Sequence, residues 1–181
     1  MKVKAVLASG GALLLGAVIT FVVRAEPITE VRAPAPVVFV CRNGVAMSVW
    51  SAAYFNRLAA ARGLRERAIA RASVPSFTEV PFRMAFALAL DGFRLDGYRP
   101  RVISPDDLRS AEFVVAIDTE LPANARPSDS HTEVWRGFPP MREQYFPSRE
   151  ALKARVEALV ERVAGASSPE GRSSGHSRHP A

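Results

Sequence analysis

Cys41 is the residue of this sequence best placed for chemistry, because of what stands on either side of it. The run before it, Val37–Val40, is short, apolar and rich in valine, which predicts a buried parallel strand. Cys41–Met47 shows neither strand nor helix periodicity and contains an Asn-Gly turn signal. Ser48 is a favourable helix N-cap, and apolar residues recur at helical spacing after it. The predicted order is strand, tight loop and helix.

A strand that leads through a short loop into a helix N-terminus forms a ready anion site. The first amides of a helix lack intrahelical partners, and the helix dipole places partial positive charge there. A thiol facing those amides is favoured as the thiolate, which makes Cys41 a candidate nucleophile. The Ser48 hydroxyl is placed to donate a hydrogen bond to that sulfur. The simpler interpretation is that Cys41 is a small, buried and unreactive side chain.

The stretch Val37–Ser48 resembles the opening of the low-molecular-weight protein tyrosine phosphatases and of the related thioredoxin-coupled arsenate reductases. The signature of that family is an apolar strand followed by Cys, five residues, Arg and Ser. The similarity continues through the helix Val49–Gly63, the Asp-Gly helix end before Phe93 and the strand region Ala111–Asp118. It covers roughly Pro36–Ala164, most of the chain behind its N-terminal segment.

This resemblance implies a phosphomonoesterase that works through a phosphocysteine on Cys41. Ser48 would stabilise the thiolate by a hydrogen bond, and the ligand would be phosphate, another oxyanion or a phosphoprotein. The phosphate-binding loop would also include Arg42, Asn43, Gly44, Val45, Ala46 and Met47. Here Asn precedes Gly, whereas the family usually has Gly first; both residue types tolerate a positive φ, so the loop backbone is expected to survive.

The catalytic arginine of the family is missing. Met47 occupies its place, and a thioether neither carries charge nor donates the paired hydrogen bonds that hold two phosphate oxygens. Loss of one such contact typically costs roughly 3–4 kcal/mol of transition-state stabilisation. Arg42 stands next to Cys41, but its backbone direction differs, so it is not expected to compensate.

The general acid of the family is an Asp in an Asp-Pro segment before the last helix. Here the matching stretch is Gly137–Met141, with Pro139 at the place of the Asp. Without an acid, general acid catalysis worth ~10²–10⁴ in rate is lost. The nearby candidates are substitutes only in principle: Asp129, His131, Glu133 and Glu143.

Three functions stay open at this point. The retained Cys41 and Ser48 favour weak phosphatase activity, whereas Met47 and Pro139 favour a pseudophosphatase that binds an oxyanion or a protein partner. An arsenate-reductase-like redox protein is disfavoured, because the disulfide cascade needs resolving thiols and the chain has one cysteine. The lone cysteine also disfavours a Cys-based zinc site, and no metal or cofactor is expected.

The N-terminus has the features of an export signal. Lys2 and Lys4 precede the uncharged run Ala5–Val23, and Arg24 and Ala25 follow. Residues 1–25 are predicted to be either a signal peptide cut before Glu26 or an uncleaved membrane anchor. In both cases the domain faces outward, so it is periplasmic or extracellular, or anchored on the outer side of the membrane. The membrane is contacted only through this segment.

The remaining divisions follow composition and periodicity. Residues 26–36 are predicted as a proline-rich linker, 37–165 as the phosphatase-like domain, and 166–181 as a disordered tail whose histidines are solvated. The formal charge is +6, but no Lys/Arg run marks a nucleic-acid-binding face.

The pattern predicts an α/β fold: a three-layer α/β/α sandwich with a four-stranded parallel sheet. Further strands are expected within Ala68–Val74, at Phe113–Ile117 and at Glu133–Trp135. A helix from Pro81 to Gly92 is expected, with one face formed by Phe82, Ala85, Phe86 and Ala89. Ser104 or Asp106 is expected to cap a short helical turn, and Ser148 the last helix.

Overall fold

The computed structural model describes residues 26–28, 37–75, 77–122 and 131–167. Its elements, in chain order, are β1 (Glu26–Pro27), β2 (Val37–Cys41), α1 (Met47–Ala61), β3 (Ala68–Ala72), α2 (Phe82–Leu90), β4 (Phe93–Arg94), α3 (Pro105–Ser110), β5 (Phe113–Ile117), β6 (His131–Trp135) and α4 (Tyr145–Ser167). The predicted leader, most of the predicted linker and residues 168–181 of the predicted tail lie outside the described residues. Within the described part, no helix has both the length and the apolar character needed to span a bilayer.

The main sheet has the strand order β3-β2-β5-β6, and every pair in it is parallel. This confirms the predicted four-stranded parallel sheet. Each residue of β2 is buried, because the strand has a neighbour on both edges and helices on both faces. A strand covered on all sides needs a continuous apolar run rather than an alternating pattern, which is what Val37–Val40 supplies.

Helices cover both faces of the sheet. The larger core lies between the sheet and α1, α2 and α4, and Phe39 stands at its centre. The Phe39 ring lies 6.2 Å from that of Phe55 and 5.9 Å from that of Trp135, measured between centroids. The smaller core lies on the other face, where Leu108 of α3 packs against Val38. The three-layer sandwich is therefore confirmed.

Of the predicted caps Ser104 and Ser148, the structure confirms the first and not the second. Ser104 caps α3, because its hydroxyl accepts from the Asp107 amide while the Asp107 side chain accepts from the Ser104 amide. Ser148 does not cap α4: the helix begins earlier, at Tyr145. Pro147 fits within the first turn, where its missing N–H has no intrahelical acceptor to lose, so it does not delay the helix start.

The face of α2 on which the sequence groups Phe82 and Phe86 is not the face that packs against the core. The fully buried side chains of this helix are Met84 and Leu88, whereas Phe82 is 81% and Phe86 57% exposed. The helix is apolar on nearly all sides, so its periodicity does not select which face meets the sheet. Ala85 and Ala89 are half-buried at the edges of the packed side.

The first residues of the predicted linker are ordered against the domain. Glu26–Pro27 pairs in parallel with Phe93–Arg94, and the Glu26 amide donates to the Gly92 carbonyl at 2.7 Å. The Glu26 carboxylate also pairs with Arg57 of α1 at 3.0 Å. A strand of two residues is too short for a sequence pattern to reveal.

Candidate active site

Cys41 ends β2 at the carboxyl edge of the sheet. In register it lies beside Ala72 of β3 and Ile117 of β5, so both neighbouring strands also end here. Its Sγ lies 3.0 Å from the Ser48 Oγ. Cys41 is 7% exposed and Ser48 is fully buried. The structure therefore brings together the two residues to which the sequence assigned the thiol chemistry.

Ser48 is not the N-cap that the sequence predicts. Helix α1 begins at Met47, and Ala46 takes the cap position without a side-chain hydrogen bond. The first helical bond runs from the Trp50 amide to the Ala46 carbonyl at 2.9 Å. Because Ser48 lies inside the first turn, its hydroxyl meets the Cys41 sulfur instead of a backbone amide. The first-turn amides remain without intrahelical acceptors, as an anion site requires.

The loop from Cys41 to Met47 is anchored against β3. The Ser73 amide donates to the Cys41 carbonyl at 2.9 Å, and the Val74 amide donates to the Arg42 carbonyl at 3.2 Å. On the other side, the Tyr98 hydroxyl donates to the Gly44 carbonyl at 2.8 Å. These bonds hold the path of the backbone from both flanks.

Gly44 carries the left-handed turn of the loop. Its φ is +64°, and a Cβ built there would lie 3.0 Å from both the Cβ and the amide nitrogen of Ala72. Only glycine combines this backbone angle with so close an approach to the neighbouring strand. Asn43 does not share the positive φ, so the exchanged Asn-Gly order moves the turn onto the glycine.

Replacing Gly44 by Ala is expected to destabilise the protein more than replacing Gly63. Gly63 also has a positive φ, +69°, but a Cβ there meets nothing within 4 Å, so its cost is left-handed strain alone. That strain is about 1–2 kcal/mol. The contact with Ala72 should add about 1–3 kcal/mol for Gly44→Ala. Urea unfolding of both variants measures the difference, and equal losses would contradict a tightly packed loop.

The remaining loop residues contribute no charged group to the interior. Val45 is 8% exposed, and Met47 is half-buried with its thioether packed against the larger core. Arg42 is exposed, and Ala46 is half-buried. The place that an arginine fills in the resembling family therefore holds a side chain that belongs to the packing of α1.

The candidate replacement acids are mostly engaged elsewhere. Glu133 accepts from the Trp135 indole at 2.9 Å and pairs with Arg162 at 2.6 Å. Glu143 pairs with its neighbour Arg142 at the surface. Asp129 and the His131 side chain lie outside the described part of the structure. Pro139 is half-buried and supplies no proton.

Asp118 is a site residue that the sequence identified only as part of the family resemblance. It directly follows Ile117, the register partner of Cys41, and has a φ of +45°, unusual for a residue with a side chain. Its carboxylate accepts the amides of Gly137 at 2.9 Å and Phe138 at 3.2 Å. Asp118 thus holds the segment before α4 against the carboxyl edge of the sheet.

Asp91 joins three helices close to the start of α1. It accepts hydrogen bonds from the Trp50 indole at 2.7 Å, the Tyr145 hydroxyl at 2.7 Å and the Arg149 guanidinium at 2.6 Å. Its side chain is only 10% exposed. Burial, followed by the hydrogen bond to Asp91, raises the pKa of Tyr145 well above its usual value, so the phenol stays a donor. The sequence revealed only the helix end at Asp91, because its partners are distant along the chain.

Comparison with family models places residues 36–164 within the family described as low molecular weight phosphotyrosine protein phosphatase. Compared by sequence with curated proteins, the chain has no significant match. Among the described residues, no group of His, Cys, Asp and Glu is clustered for metal binding.

Solved structures of similar fold come from phosphatases and arsenate reductases. YfkJ from Bacillus subtilis has a TM-score of 0.65 at 19% identity, over 77% of this chain and 100% of that one. SP-PTP, a low molecular weight protein tyrosine phosphatase from Streptococcus pyogenes, has a TM-score of 0.60 at 14% identity, over 78% and 99%. A thioredoxin-dependent arsenate reductase from Corynebacterium glutamicum has 0.58 at 18%, over 84% and 73%.

At these identities the structural likeness establishes the fold, and the family match establishes the kinship. The match includes the strand, loop and helix around Cys41 and continues to Ala164, within α4. The chain therefore belongs to the low molecular weight phosphotyrosine protein phosphatase family.

Proposed function

We propose that the Cys41–Ser48 loop binds a phosphate-like oxyanion and that the protein hydrolyses phosphomonoesters slowly. The observation that carries this proposal is the 3.0 Å contact between the Cys41 Sγ and the Ser48 Oγ at the start of α1. A hydroxyl at this distance stabilises a thiolate, and the first-turn amides favour an anion beside it. Membership in a phosphatase family supports the same chemistry.

The reaction has two displacements at phosphorus. In the first, the Cys41 thiolate forms an S–P bond while the bond from phosphorus to the leaving oxygen breaks. In the second, water attacks phosphorus, the S–P bond breaks, and phosphate leaves with the thiolate restored. Met47 offers the transferring group no charge, which lowers the rate by roughly 10²–10³. The leaving oxygen departs without a protein acid at Pro139, so esters with good leaving groups react first.

Alkylation of Cys41 tests the site directly, because it is the one thiol in the chain. At fixed pH, inorganic phosphate or vanadate should slow the reaction of Cys41 with iodoacetamide in the folded protein. The same anions should have no effect in urea, where the loop is lost. Phosphate release from an aryl phosphate should disappear in Cys41→Ser. Folded protein that is alkylated equally fast with and without the anions would contradict an oxyanion site.

A pseudophosphatase is the second candidate, and Met47 together with Pro139 favours it. It predicts that oxyanions protect Cys41 while no phosphate is released from any ester. The bound group would then be an oxyanion or a phosphorylated partner protein rather than a turned-over substrate. A redox function of the arsenate-reductase type is disfavoured, since a single cysteine leaves no resolving thiol for a disulfide.

We further propose that the protein is exported, on the basis of Lys2, Lys4 and the uncharged run Ala5–Val23. Fractionation of cells that express the full chain should place it outside the cytoplasm or in the membrane. Protein sequencing of the mature N-terminus distinguishes a form that begins at Glu26 from a retained anchor. Recovery of the intact chain in the cytoplasmic fraction would contradict export.

A further inference from the structure

Helix α2 carries a stripe of exposed apolar side chains, formed by Phe82, Phe86 and Leu90. They are 81%, 57% and 50% exposed, and their spacing of four residues places them along one face of the helix. The rings of Phe82 and Phe86 stack with centroids 6.4 Å apart. We call this face the α2 stripe. Large exposed apolar side chains in a row mark a surface that contacts something other than water.

The chain enters the domain at one end of the α2 stripe. The Glu26 amide donates to the carbonyl of Gly92, which follows α2 directly, and β1 then pairs with β4. Only Arg24 and Ala25 separate Glu26 from the uncharged run Ala5–Val23. Three residue steps span at most about 11 Å. The end of that run therefore lies within about 11 Å of Glu26, which is itself hydrogen-bonded to Gly92 just beyond the C-terminal end of α2.

We propose that, with residues 1–25 retained as an anchor, the α2 stripe rests on the surface of the lipid bilayer that holds the anchor. The polar layer of one leaflet is about 5–8 Å thick, so the tether is hardly longer than that layer. The stripe itself is about 12 Å long. Aromatic and leucine side chains on one helix face insert into the boundary between headgroups and acyl chains. Arg83, exposed on the same helix, adds attraction to anionic lipids.

This proposal is independent of whether Cys41 turns over phosphate. Helices α2 and α3 lie on opposite faces of the sheet. Met84 and Leu88 of α2 belong to the larger core, and Leu108 of α3 belongs to the smaller one. A protein held in this way presents α3 to the solvent. Arg109 on α3 has a side chain that is 70% exposed and serves as the reference position.

Spin labelling of the full chain tests the contact. In a Cys41→Ser background the native thiol is gone, so a nitroxide attaches only at an introduced cysteine, either Phe86→Cys or the matched control Arg109→Cys. Each labelled chain is reconstituted into vesicles of phosphatidylglycerol and phosphatidylethanolamine. Collision with oxygen, which concentrates in lipid, is compared with collision with a water-soluble nickel chelate. The oxygen-to-nickel ratio at position 86 should be several-fold higher than at position 109.

Other outcomes overturn the proposal. Equal ratios at the two positions would mean that the α2 stripe faces water. Dipolar broadening between labels at position 86, with an oxygen-to-nickel ratio no higher than at position 109, would mean that a second copy of the chain covers the stripe. Mass spectrometry of the chain purified from membranes is the third check: a chain that lacks residues 1–25 would overturn the proposal, because the anchor on which the contact depends is then absent.

Discussion

Met47→Arg is expected to raise the affinity of the Cys41–Ser48 loop for phosphate or vanadate by roughly tenfold to a hundredfold. A guanidinium fork adds charge-assisted hydrogen bonds worth about 1.5–3 kcal/mol beyond those of the amides. Met47 is the first residue of α1 and is half-buried beside the loop, so the longer side chain starts from the position that the family uses. The loop backbone is held by Gly44 and need not change.

The rate of aryl phosphate hydrolysis should rise in Met47→Arg by roughly 10²–10³, because the fork stabilises charge that develops in the transition state. The gain should vanish in a Cys41→Ser background, where no nucleophile remains. Adding Pro139→Asp should help poor leaving groups more than nitrophenolate, which departs without a proton. Isothermal titration with vanadate and single-turnover hydrolysis measure binding and rate separately.

A folded Met47→Arg protein that gains neither affinity nor rate would show that the loop is not a phosphate cradle. Circular dichroism and urea unfolding establish that the variant is folded, so this outcome is distinct from misfolding. A gain in affinity without a gain in rate would favour the pseudophosphatase over the slow enzyme.

Asp91→Ala is expected to destabilise the protein by about 3 kcal/mol, because it leaves Trp50, Tyr145 and Arg149 without their shared acceptor. The side chain of Arg149 is 27% exposed and also pairs with Glu150, which limits the cost to the lower end of the range for broken buried ion pairs. The loss should appear as a lower urea midpoint in equilibrium unfolding.

Asp106→Ala is the matched control, since it also removes an aspartate that pairs with an arginine. Both side chains of the Asp106–Arg109 pair are largely exposed, at 82% and 70%, and such pairs contribute about 0–1 kcal/mol. If Asp91→Ala and Asp106→Ala lower the free energy of unfolding equally, the three-helix junction at Asp91 does not stabilise the fold.

The parallel sheet and its layers could be predicted because a strand that is buried on both faces requires a continuous apolar run in the sequence. β2 and β5 are continuous valine-rich runs, and the structure ends them where the apolar pattern ends, within a residue. The C-terminal ends of α1 and α2 could also be predicted, because each is followed by a glycine: Gly63 and Gly92 both adopt positive φ just beyond these helices. These features depend on local sequence and on the need to bury backbone.

The orientation of α2 and the start of α4 could not be predicted, because each depends on tertiary contacts with other elements. In α2 the choice between Phe82 and Met84 as the buried residue is made by the tertiary position of the helix, not by its nearly uniform apolarity. In α4 a serine after a proline has the pattern of a cap, yet the helix accommodates Pro147 in its first turn.

In the candidate site, the sequence placed Cys41 and Ser48 together through the spacing of strand, loop and helix, and the structure brings them to 3.0 Å. It assigned Ser48 to the wrong backbone position, since capping and thiol contact compete for one hydroxyl. Asp118 accepts a hydrogen bond from the Gly137 amide, and the sequence does not reveal it because only the folded sheet brings these two residues together.

The parallel arrangement of the central strand has a consequence for the order of folding. β2, which ends in Cys41, pairs on one side with β5, and Val37 finds its partner Phe113 far down the chain. Such long-range pairing makes folding slow, because a large loop must close before the contact stabilises it. β2 consequently stays without its partner on this side until Phe113–Ile117 has emerged, so the loop that follows Cys41 should gain its affinity for anions only late in folding.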